Sequence, residues 1–170
     1  HRESNASADD FWHALGEASG QDVTSIMNAW IKEPGHPIVS IAVRDEATGV
    51  YEVAQTRYYS DADAPASAQL WPVPLVLRYG TDDGVRETRI LLRERSATVT
   101  LEGAKWVFPN AGGRGFYRWQ MDDAADRMLD RGVRELDRGV RELGPEERLS
   151  LVDNIWALTR TGRASLASFL

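Results

Sequence analysis

The spacing of apolar residues changes twice along this chain of 170 residues, and the changes divide it into three stretches. Before Pro37 the apolar residues recur at intervals of three and four, which is the period of an amphipathic helix. From Pro37 to Gln120 they alternate in short runs separated by turn residues, as they do in strands. The helical period returns after Asp122. A β region between two helical segments is therefore the first constraint on the fold.

The first stretch predicts a helical hairpin. Ser7 to Asp10 supply a helix-start signal, Asp22 can cap a second helix, and Pro34-Gly35 ends that helix. The apolar positions of the two helices are Phe11, Trp12, Leu15, Val23, Ile26, Met27, Trp30 and Ile31. Because a hairpin of about thirty residues is too small to hold a core alone, it must lie against something else.

The middle stretch predicts about seven short strands joined by regular turns. Turn residues at 45–49 and 80–84 are typical of hairpins, whereas Pro72 and Pro74 place the start of one strand at an edge or outside the ladder. The predicted strands cover residues 38–44, 50–59, 71–79, 85–93, 98–101, 106–108 and 115–120. This spacing favours an antiparallel immunoglobulin-like β-sandwich, so the predicted fold class is mainly β with helical flanks.

The last stretch predicts helices at residues 124–143 and 145–161, followed by the start of a third helix at 163–170. Gly144-Pro145 separates the first two helices, and Gly162 ends the second. In the second helix the residues predicted to face inward are Leu149, Val152, Ile155, Trp156 and Leu158.

The heptapeptide DRGVREL occurs twice in succession, at residues 130–136 and 137–143. Seven residues make nearly two helical turns, so a duplicated heptad lengthens a helix by about 10 Å and keeps its apolar face nearly in register. The repeat predicts one lengthened helix. A coiled-coil seam is the alternative, although two heptads are fewer than such a seam needs. The seam would contain Val133, Leu136, Val140 and Leu143.

Composition excludes several classes of site. The chain has no cysteine, which excludes disulfides, thiolate metal ligands and cysteine nucleophiles. Its net charge of -6 argues against a nucleic-acid partner, and no apolar run approaches the roughly 18 residues of a membrane span. The HExxH motif of zinc peptidases is absent, and none of the three histidines lies four residues from another.

Four remaining candidates each have a structural explanation. His13 with Glu17 lacks the second histidine of a metal site, and His36 is interpreted as a loop residue rather than a base. The glycine-rich segment 112–115 lacks the Lys-Ser/Thr of a phosphate-binding loop and is interpreted as a hairpin loop. Seven aromatic residues could form a carbohydrate platform, but cross-strand packing explains them better. They are Tyr58, Tyr59, Trp71, Tyr79, Trp106, Tyr117 and Trp119. The sequence therefore predicts no catalytic, cofactor-binding or metal-ligating residue.

Five stretches of the sequence match motifs of one known family in their order and spacing. They are W-x-x-x-P-G-x-P at 30–37, Q-x-R-aromatic at 55–58, W-x-x-P-L at 71–75, W…N…G-x-Y-R within 106–118 and R-L-S-L-V-D-N at 148–154. From about Asp10 onward, the chain resembles the zinc aminopeptidases of the aminopeptidase N (gluzincin) type. Met121 and Asn154 depart from the family, which often has an aromatic residue and an aspartate there. The doubled heptad also lengthens the interval between Arg118 and Arg148.

The resemblance implies a division into three domains. Residues 1–35 would be the last helices of a thermolysin-like catalytic domain, 36–121 a β-sandwich domain, and 122–170 the start of an α-helical C-terminal domain. The family removes N-terminal residues from peptides with one zinc ion, and its zinc ligands and catalytic residues would all lie upstream of His1. The chain would thus be a non-catalytic linker whose partners are the other two domains of its parent, and it would meet peptide substrates only through that parent.

Two alternatives stay open, a freestanding immunoglobulin-like interaction module and an undiscovered hydrolase. As an isolated piece, the chain is expected to expose apolar surface at Trp12, Trp30 and Trp156 and therefore to self-associate. It is expected to be cytoplasmic, with neither a nucleic acid nor a membrane as a partner. It is also expected to hold no cofactor of its own, with zinc only in the parent enzyme.

Overall fold

A computed structural model of the chain describes residues 5–61, 64–135 and 143–165, with only the backbone described from 130 to 135. The chain divides into two compact units, residues 1–35 and residues 36–170. Each unit is built from the local signals of its own sequence.

The first unit is the predicted helical hairpin, formed by α1 (Ala8–Ser19) and α2 (Val23–Lys32). Ser7 Oγ accepts a hydrogen bond from the backbone N–H of Asp10, and the Asp10 carboxylate accepts one from the N–H of Ser7, so the two residues form a capping box. The hydrogen bonds that the Asp10 carboxylate accepts from the backbone N–H and the hydroxyl of Ser7 lower the pKa of that carboxyl. Asp22 caps α2 as predicted. Neither helix contains a buried residue, which agrees with a hairpin that has no core of its own.

The second unit contains two β-sheets and two further helices. Its strands are β1 (Pro37–Asp45), β2 (Val50–Arg57), β3 (Val73–Thr81), β4 (Gly84–Leu92), β5 (Ser96–Thr100), β6 (Trp106–Phe108) and β7 (Arg118–Met121). The helices are α3 (Asp123–Glu135) and α4 (Pro145–Arg160), and a 3-10 turn covers Ala111–Gly113. Within the described residues the count of seven strands agrees with the prediction, and most predicted bounds are off by no more than three residues.

The strands form a four-stranded sheet of order β5-β2-β1-β7 and a three-stranded sheet of order β4-β3-β6. The two predicted hairpin turns join β1 to β2 and β3 to β4, which pair antiparallel. Pro74 lies where β3 pairs with β4 alone among the described residues, because β6 pairs only with residues 78–80. Trp71 and Pro72 precede the ladder. The prediction from the two prolines is therefore confirmed.

The prediction that every strand pairs antiparallel is wrong, because β7 runs parallel to β1 and makes the four-stranded sheet mixed. The strand before β7 is β6, which belongs to the other sheet. No hairpin turn therefore sets the direction of β7. Turn residues specify pairing only between the strands that they connect directly. The passage of the chain from β6 in one sheet to β7 in the other therefore has no local sequence signal.

Buried side chains from both sheets form the core of the second unit. The largest fully buried apolar side chains are Val39, Ile41, Tyr51, Val53, Trp71, Val73, Leu75, Leu77, Leu92, Leu101 and Phe108. The rings of Phe108 on β6 and Trp119 on β7 meet edge to face with centroids 5.7 Å apart. Burial of this apolar surface is the main term that stabilises the unit.

Helix α3 begins at a junction made by Asp122. The backbone N–H of Asp122 donates to the carbonyl of Ile41 on β1, and its carboxylate accepts from the backbone N–H groups of Val43 and Ala125. The side chains of Ala125, Met128 and Leu129 in α3 are buried. The interpretation of the DRGVREL repeat as one long helix or a coiled-coil seam falls largely on residues 136–142, which lie outside the described residues.

The prediction for the inward face of α4 is wrong in part. Leu149, Val152 and Trp156 are 71%, 52% and 45% exposed, whereas the buried positions of α4 are Glu147, Asn154, Ala157 and Leu158. Polar residues occupy the inner face because their hydrogen bonds to the β strands satisfy groups that would otherwise be buried without partners. Residues 163–165 after α4 are not helical, and the rest of the predicted third helix lies outside the described residues.

No helix within the described part of the chain combines the length and apolar character that crossing a bilayer requires.

Candidate functional site

An open groove of about 730 Å³ lies in the second unit between α4 and the β6–β7 connection. It is lined by the loop residue before β1, by the connection with the first residue of β7, and by α4, so three parts of the fold determine its shape. Its side chains include His36, Asn110, Phe116, Arg118, Leu149 and Asp153.

Asn110 holds the β6–β7 connection in place. Its Oδ1 accepts from the backbone N–H of Gly115 at 2.8 Å, and its Nδ2 donates to the carbonyl of the same residue at 3.2 Å. The N–H of Gly113 donates to the Asn110 carbonyl and that of Gly112 to Glu147. Because these backbone donors are engaged, segment 112–115 is not available to cradle a phosphate. It is also not the predicted hairpin loop, since it connects strands of different sheets.

Gly113 allows α4 to approach this connection closely. A Cβ atom at Gly113 would lie 2.9 Å from the carbonyl oxygen of Glu146, and its φ of 63° favours glycine. The start of α4 therefore packs directly against the backbone of the 3-10 turn.

Glu147 is a buried carboxylate that links α4 to the three-stranded sheet. It is 3% exposed, and its Oε2 accepts from the guanidinium of Arg78 on β3 at 2.6 Å and from the N–H of Gly144 at 3.0 Å. Its Oε1 accepts from the N–H of Gly112 at 2.9 Å. One side chain therefore caps α4 and joins it to both β3 and the 3-10 turn.

Asn154 links α4 to the four-stranded sheet. It is 2% exposed, and its Oδ1 accepts from the backbone N–H of Trp119 at 2.9 Å while its Nδ2 donates to the carbonyl of Trp119 at 2.8 Å. The amide thus binds β7 as a neighbouring strand would. Beside it, Arg118 on β7 forms an ion pair with Asp153.

We expect the substitution Asn154→Asp to lower the free energy of unfolding by about 2 kcal/mol at neutral pH. A carboxylate cannot donate to the carbonyl of Trp119 and would face it as a second acceptor. That environment favours the protonated form of the new carboxyl, which can donate, so the deficit relative to wild type should shrink as the pH falls toward about 4. Urea denaturation at neutral pH and at about pH 4 measures this deficit, and Gln120→Glu on β7 is the control substitution. Equal deficits at both pH values would contradict the expectation.

The structure places the two candidate histidines in different units. His13 lies on α1 with its Nε2 3.5 Å from Glu17, and both side chains are highly exposed. His36 precedes β1 in a loop, as interpreted from the sequence, and its ring stacks on Tyr58 at a centroid distance of 5.0 Å. Burial, and secondarily the positive charge of Arg118, lower the pKa of the His36 imidazole from its ordinary 6.5.

The lowered pKa of His36 predicts a stability that depends on pH. Below about pH 6.5 the unfolded chain binds a proton at this residue while the folded chain resists it, so stability that is present above that pH is lost as the pH falls. Between about pH 7.5 and 5 the free energy of unfolding should therefore fall less in His36→Gln than in wild type. His13→Gln is the matched control and should keep the wild-type slope. Identical slopes in all three proteins would refute this assignment.

The aromatic residues pack mainly in the core. Of the seven named in the sequence, Trp71, Tyr79, Trp106, Tyr117 and Trp119 are buried, and only Tyr58 and Tyr59 are half-exposed. Tyr117 Oη donates to the carbonyl of Pro109, and burial raises the pKa of its hydroxyl. This burial supports the interpretation as strand and core packing over a carbohydrate platform.

No protein-family profile matches the chain. It is 33% identical over 171 residues to the puromycin-sensitive aminopeptidase of Caenorhabditis elegans, covering 98% of this chain and 18% of that protein. It is 31% identical to aminopeptidase M1 of Arabidopsis thaliana, with 100% and 20% of the two chains covered. The tricorn protease-interacting factor F2 of Thermoplasma acidophilum is 27% identical, with 100% and 19% covered.

The chain is homologous over nearly its whole length to M1 aminopeptidases. The resemblance found in the sequence motifs is confirmed at this level. The chain spans about a fifth of the length of these curated relatives.

The M1 aminopeptidases are zinc enzymes, and zinc does not fit the residues described here. In the described ranges no three histidine or carboxylate side chains converge as metal ligands.

The sequence did not predict the buried polar residues whose hydrogen bonds hold α4 and the β6–β7 connection in place around the groove. Asn110, Glu147 and Asn154 are polar and buried; Asn110 bonds to the backbone within the β6–β7 connection, whereas Glu147 and Asn154 each bond to backbone 35 positions away. One signal was present, since Asn110 and Asn154 both lie inside motifs shared with the aminopeptidases.

Proposed function

We propose that this chain is a non-catalytic structural segment of a zinc-dependent aminopeptidase that removes N-terminal residues from peptides. The homology supports this proposal, because 98% of the chain aligns with only 18% of an aminopeptidase. The absence of an HExxH motif from the sequence is consistent with zinc-binding residues in another part of the parent enzyme.

Within that parent, residues 1–35 would be the end of the catalytic domain, 36–121 a β-sandwich domain and 122–170 the start of a helical C-terminal domain. The side chain of Gln55 on β2 supports a sandwich, because its amide donates to the carbonyls of Trp71, Leu92 and Glu94, all of which belong to or flank strands of the other sheet. The Phe108–Trp119 ring contact also joins the two sheets. We infer that the sheets pack face to face in an immunoglobulin-like arrangement.

The observation that carries the proposed linker role is the attachment of α4 to both sheets through buried polar bonds. Glu147 joins α4 to β3, Asn154 joins it to β7, and the hydroxyl of Tyr58 donates to the carbonyl of Ala157 at 3.2 Å. Several separate attachments leave a helix little freedom to rotate. The segment would therefore hold the larger domains at a fixed distance and so shape the cavity through which peptides reach the catalytic domain.

The proposed partners are the catalytic and helical domains of the same parent chain, and the proposed location is the cytoplasm. The exposed apolar side chains of Leu149 and Val152 on α4 support a partner on that face. Separated from its parent, the chain is expected to self-associate, and sedimentation of the isolated 170 residues tests this.

A chimera tests the proposed function. This chain would replace the aligned segment of the Caenorhabditis elegans aminopeptidase, and the zinc content and hydrolysis of leucine p-nitroanilide would be measured. We expect the chimera to be active and the isolated chain to be inactive with or without added zinc. A folded, zinc-loaded chimera without activity, or turnover by the isolated chain, would contradict the proposal.

A further inference from the structure

A second, smaller notch of about 310 Å³ lies on the surface of the three-stranded sheet. It is lined by Val76 on β3 and by Glu87 and Arg89 on β4, with Val76 and Arg89 directly paired. Ala111, Gly112 and Arg114 of the β6–β7 connection complete the lining. Val76 alternates with the buried Leu75 and Leu77, so the notch is on the face of the sheet opposite the core.

Two arginines border this notch. Arg89 and Arg114 are both exposed, and no ion pair joins either of them to another described residue. By contrast, Arg78 on the adjacent strand is bound to the buried carboxylate of Glu147. Two guanidinium groups that border the same small space form a site for an oxyanion, because each can donate two parallel hydrogen bonds.

Gly112 contributes to the position of Arg114. A Cβ atom at Gly112 would lie 3.1 Å from Arg114 Nε and 3.5 Å from its Cγ and Cδ. The arginine side chain therefore lies along the backbone of the 3-10 turn, which limits the directions in which its guanidinium can point.

Glu87 makes the notch selective among anions. Its exposed side chain lines the notch, and the carboxylate repels a free phosphate, which offers mainly acceptor oxygens at neutral pH. A peptide offers a side-chain carboxylate to the two arginines, and its backbone N–H can donate a hydrogen bond to the carboxylate of Glu87. The net charge of -6 also opposes a polyanion such as a nucleic acid, whereas one carboxylate at a local pair of arginines is attracted.

We propose that this notch binds an acidic peptide segment, with one Asp or Glu side chain of that segment held between Arg89 and Arg114. A space of about 310 Å³ suits one such side chain and its backbone, since it is at the small end of ligand-binding sites. This inference does not depend on the proposed aminopeptidase segment, because the notch is formed by residues 76–114 alone.

Fluorescence anisotropy on the 170-residue chain tests the inference. The probe is a labelled octapeptide of alternating glutamate and serine, and the control is the same peptide with glutamine in place of glutamate. We expect saturable binding of the acidic probe below about 1 mM, at least tenfold weaker binding of the glutamine peptide, and a loss of affinity of about tenfold in R89Q and in R114Q. Arg95→Gln removes the same charge from an exposed position outside the notch and should change the affinity by less than about twofold.

Both arginines are exposed, so R89Q and R114Q should unfold at the wild-type urea concentration, which checks that the variants are folded. Equal binding of the acidic and the neutral peptide would overturn the proposal, as would wild-type affinity in both variants. Displacement of the probe by inorganic phosphate at an equal concentration would also overturn it, because the site would then be a simple anion site.

Discussion

Replacing Gln55 with alanine is expected to lower the free energy of unfolding of the second unit by about 4 kcal/mol. Gln55 is 1% exposed, and its side chain satisfies several backbone groups at once. Its Oε1 accepts from the N–H of Trp71 at 2.9 Å, and the two hydrogens of its Nε2 are shared among the carbonyls of Trp71, Leu92 and Glu94, which lie 2.8, 3.3 and 3.0 Å from that nitrogen. Alanine would remove the amide that binds these buried backbone N–H and carbonyl groups in place of water. Each lost hydrogen bond of a buried group costs about 1–3 kcal/mol.

Urea denaturation followed by tryptophan fluorescence measures this effect. Gln120→Ala on β7 is the matched control, because Gln120 is only half-buried and its side chain forms no hydrogen bond with another described residue; its effect should be within about 0.5 kcal/mol. Gln55→Glu keeps an acceptor for the N–H of Trp71 but loses the donor, so it should remain strongly destabilised. A loss below about 1 kcal/mol in Gln55→Ala would show that water replaces the amide.

Replacing Glu147 with alanine is expected to destabilise the second unit by about 3–5 kcal/mol. The substitution removes the carboxylate that binds the guanidinium of Arg78, which is 20% exposed, and it removes the acceptors of the N–H groups of Gly112 and Gly144. Breaking a buried ion pair on one side costs more than the pair itself contributes, since the remaining charge stays in a poorly solvated place.

Glu146→Ala is the matched control for this second substitution. Glu146 is the preceding residue of the same helix turn and is exposed, so its loss should cost less than about 1 kcal/mol. The double variant Arg78→Met with Glu147→Leu removes both charges and should recover part of the loss. If Glu147→Ala and Glu146→Ala have equal effects, Glu147 does not serve as the attachment between α4 and β3.

Much of the fold was predictable because its signals are local. The caps at Ser7 and Asp22, the hairpin turns at 45–49 and 80–84, and the alternation of apolar residues all act within a few positions. Such signals determine where helices and strands begin and end. The family motifs added the homology to aminopeptidases, which the comparisons confirm.

The candidate site was less predictable because its contacts join residues far apart in the chain. Glu147 meets Arg78 across 69 positions, and Asn154 meets Trp119 across 35. On α4, the apolar residues at 149, 152 and 156 suggested the inner face, but the helix turns polar residues toward the sheets. An apolar stripe identifies a face that needs a partner and does not say which partner covers it.

The sequence by itself determined the order and extent of most helices and strands, the apolar core and the family to which this chain is homologous. Only the tertiary structure decided that β7 pairs parallel with β1, that α4 presents Glu147 and Asn154 to the sheets, and that Arg89 and Arg114 border one notch. The physical reason is the range of the interactions. Helix caps and turns act between neighbouring residues, whereas buried polar bonds and strand pairing depend on groups that only the folded chain brings together.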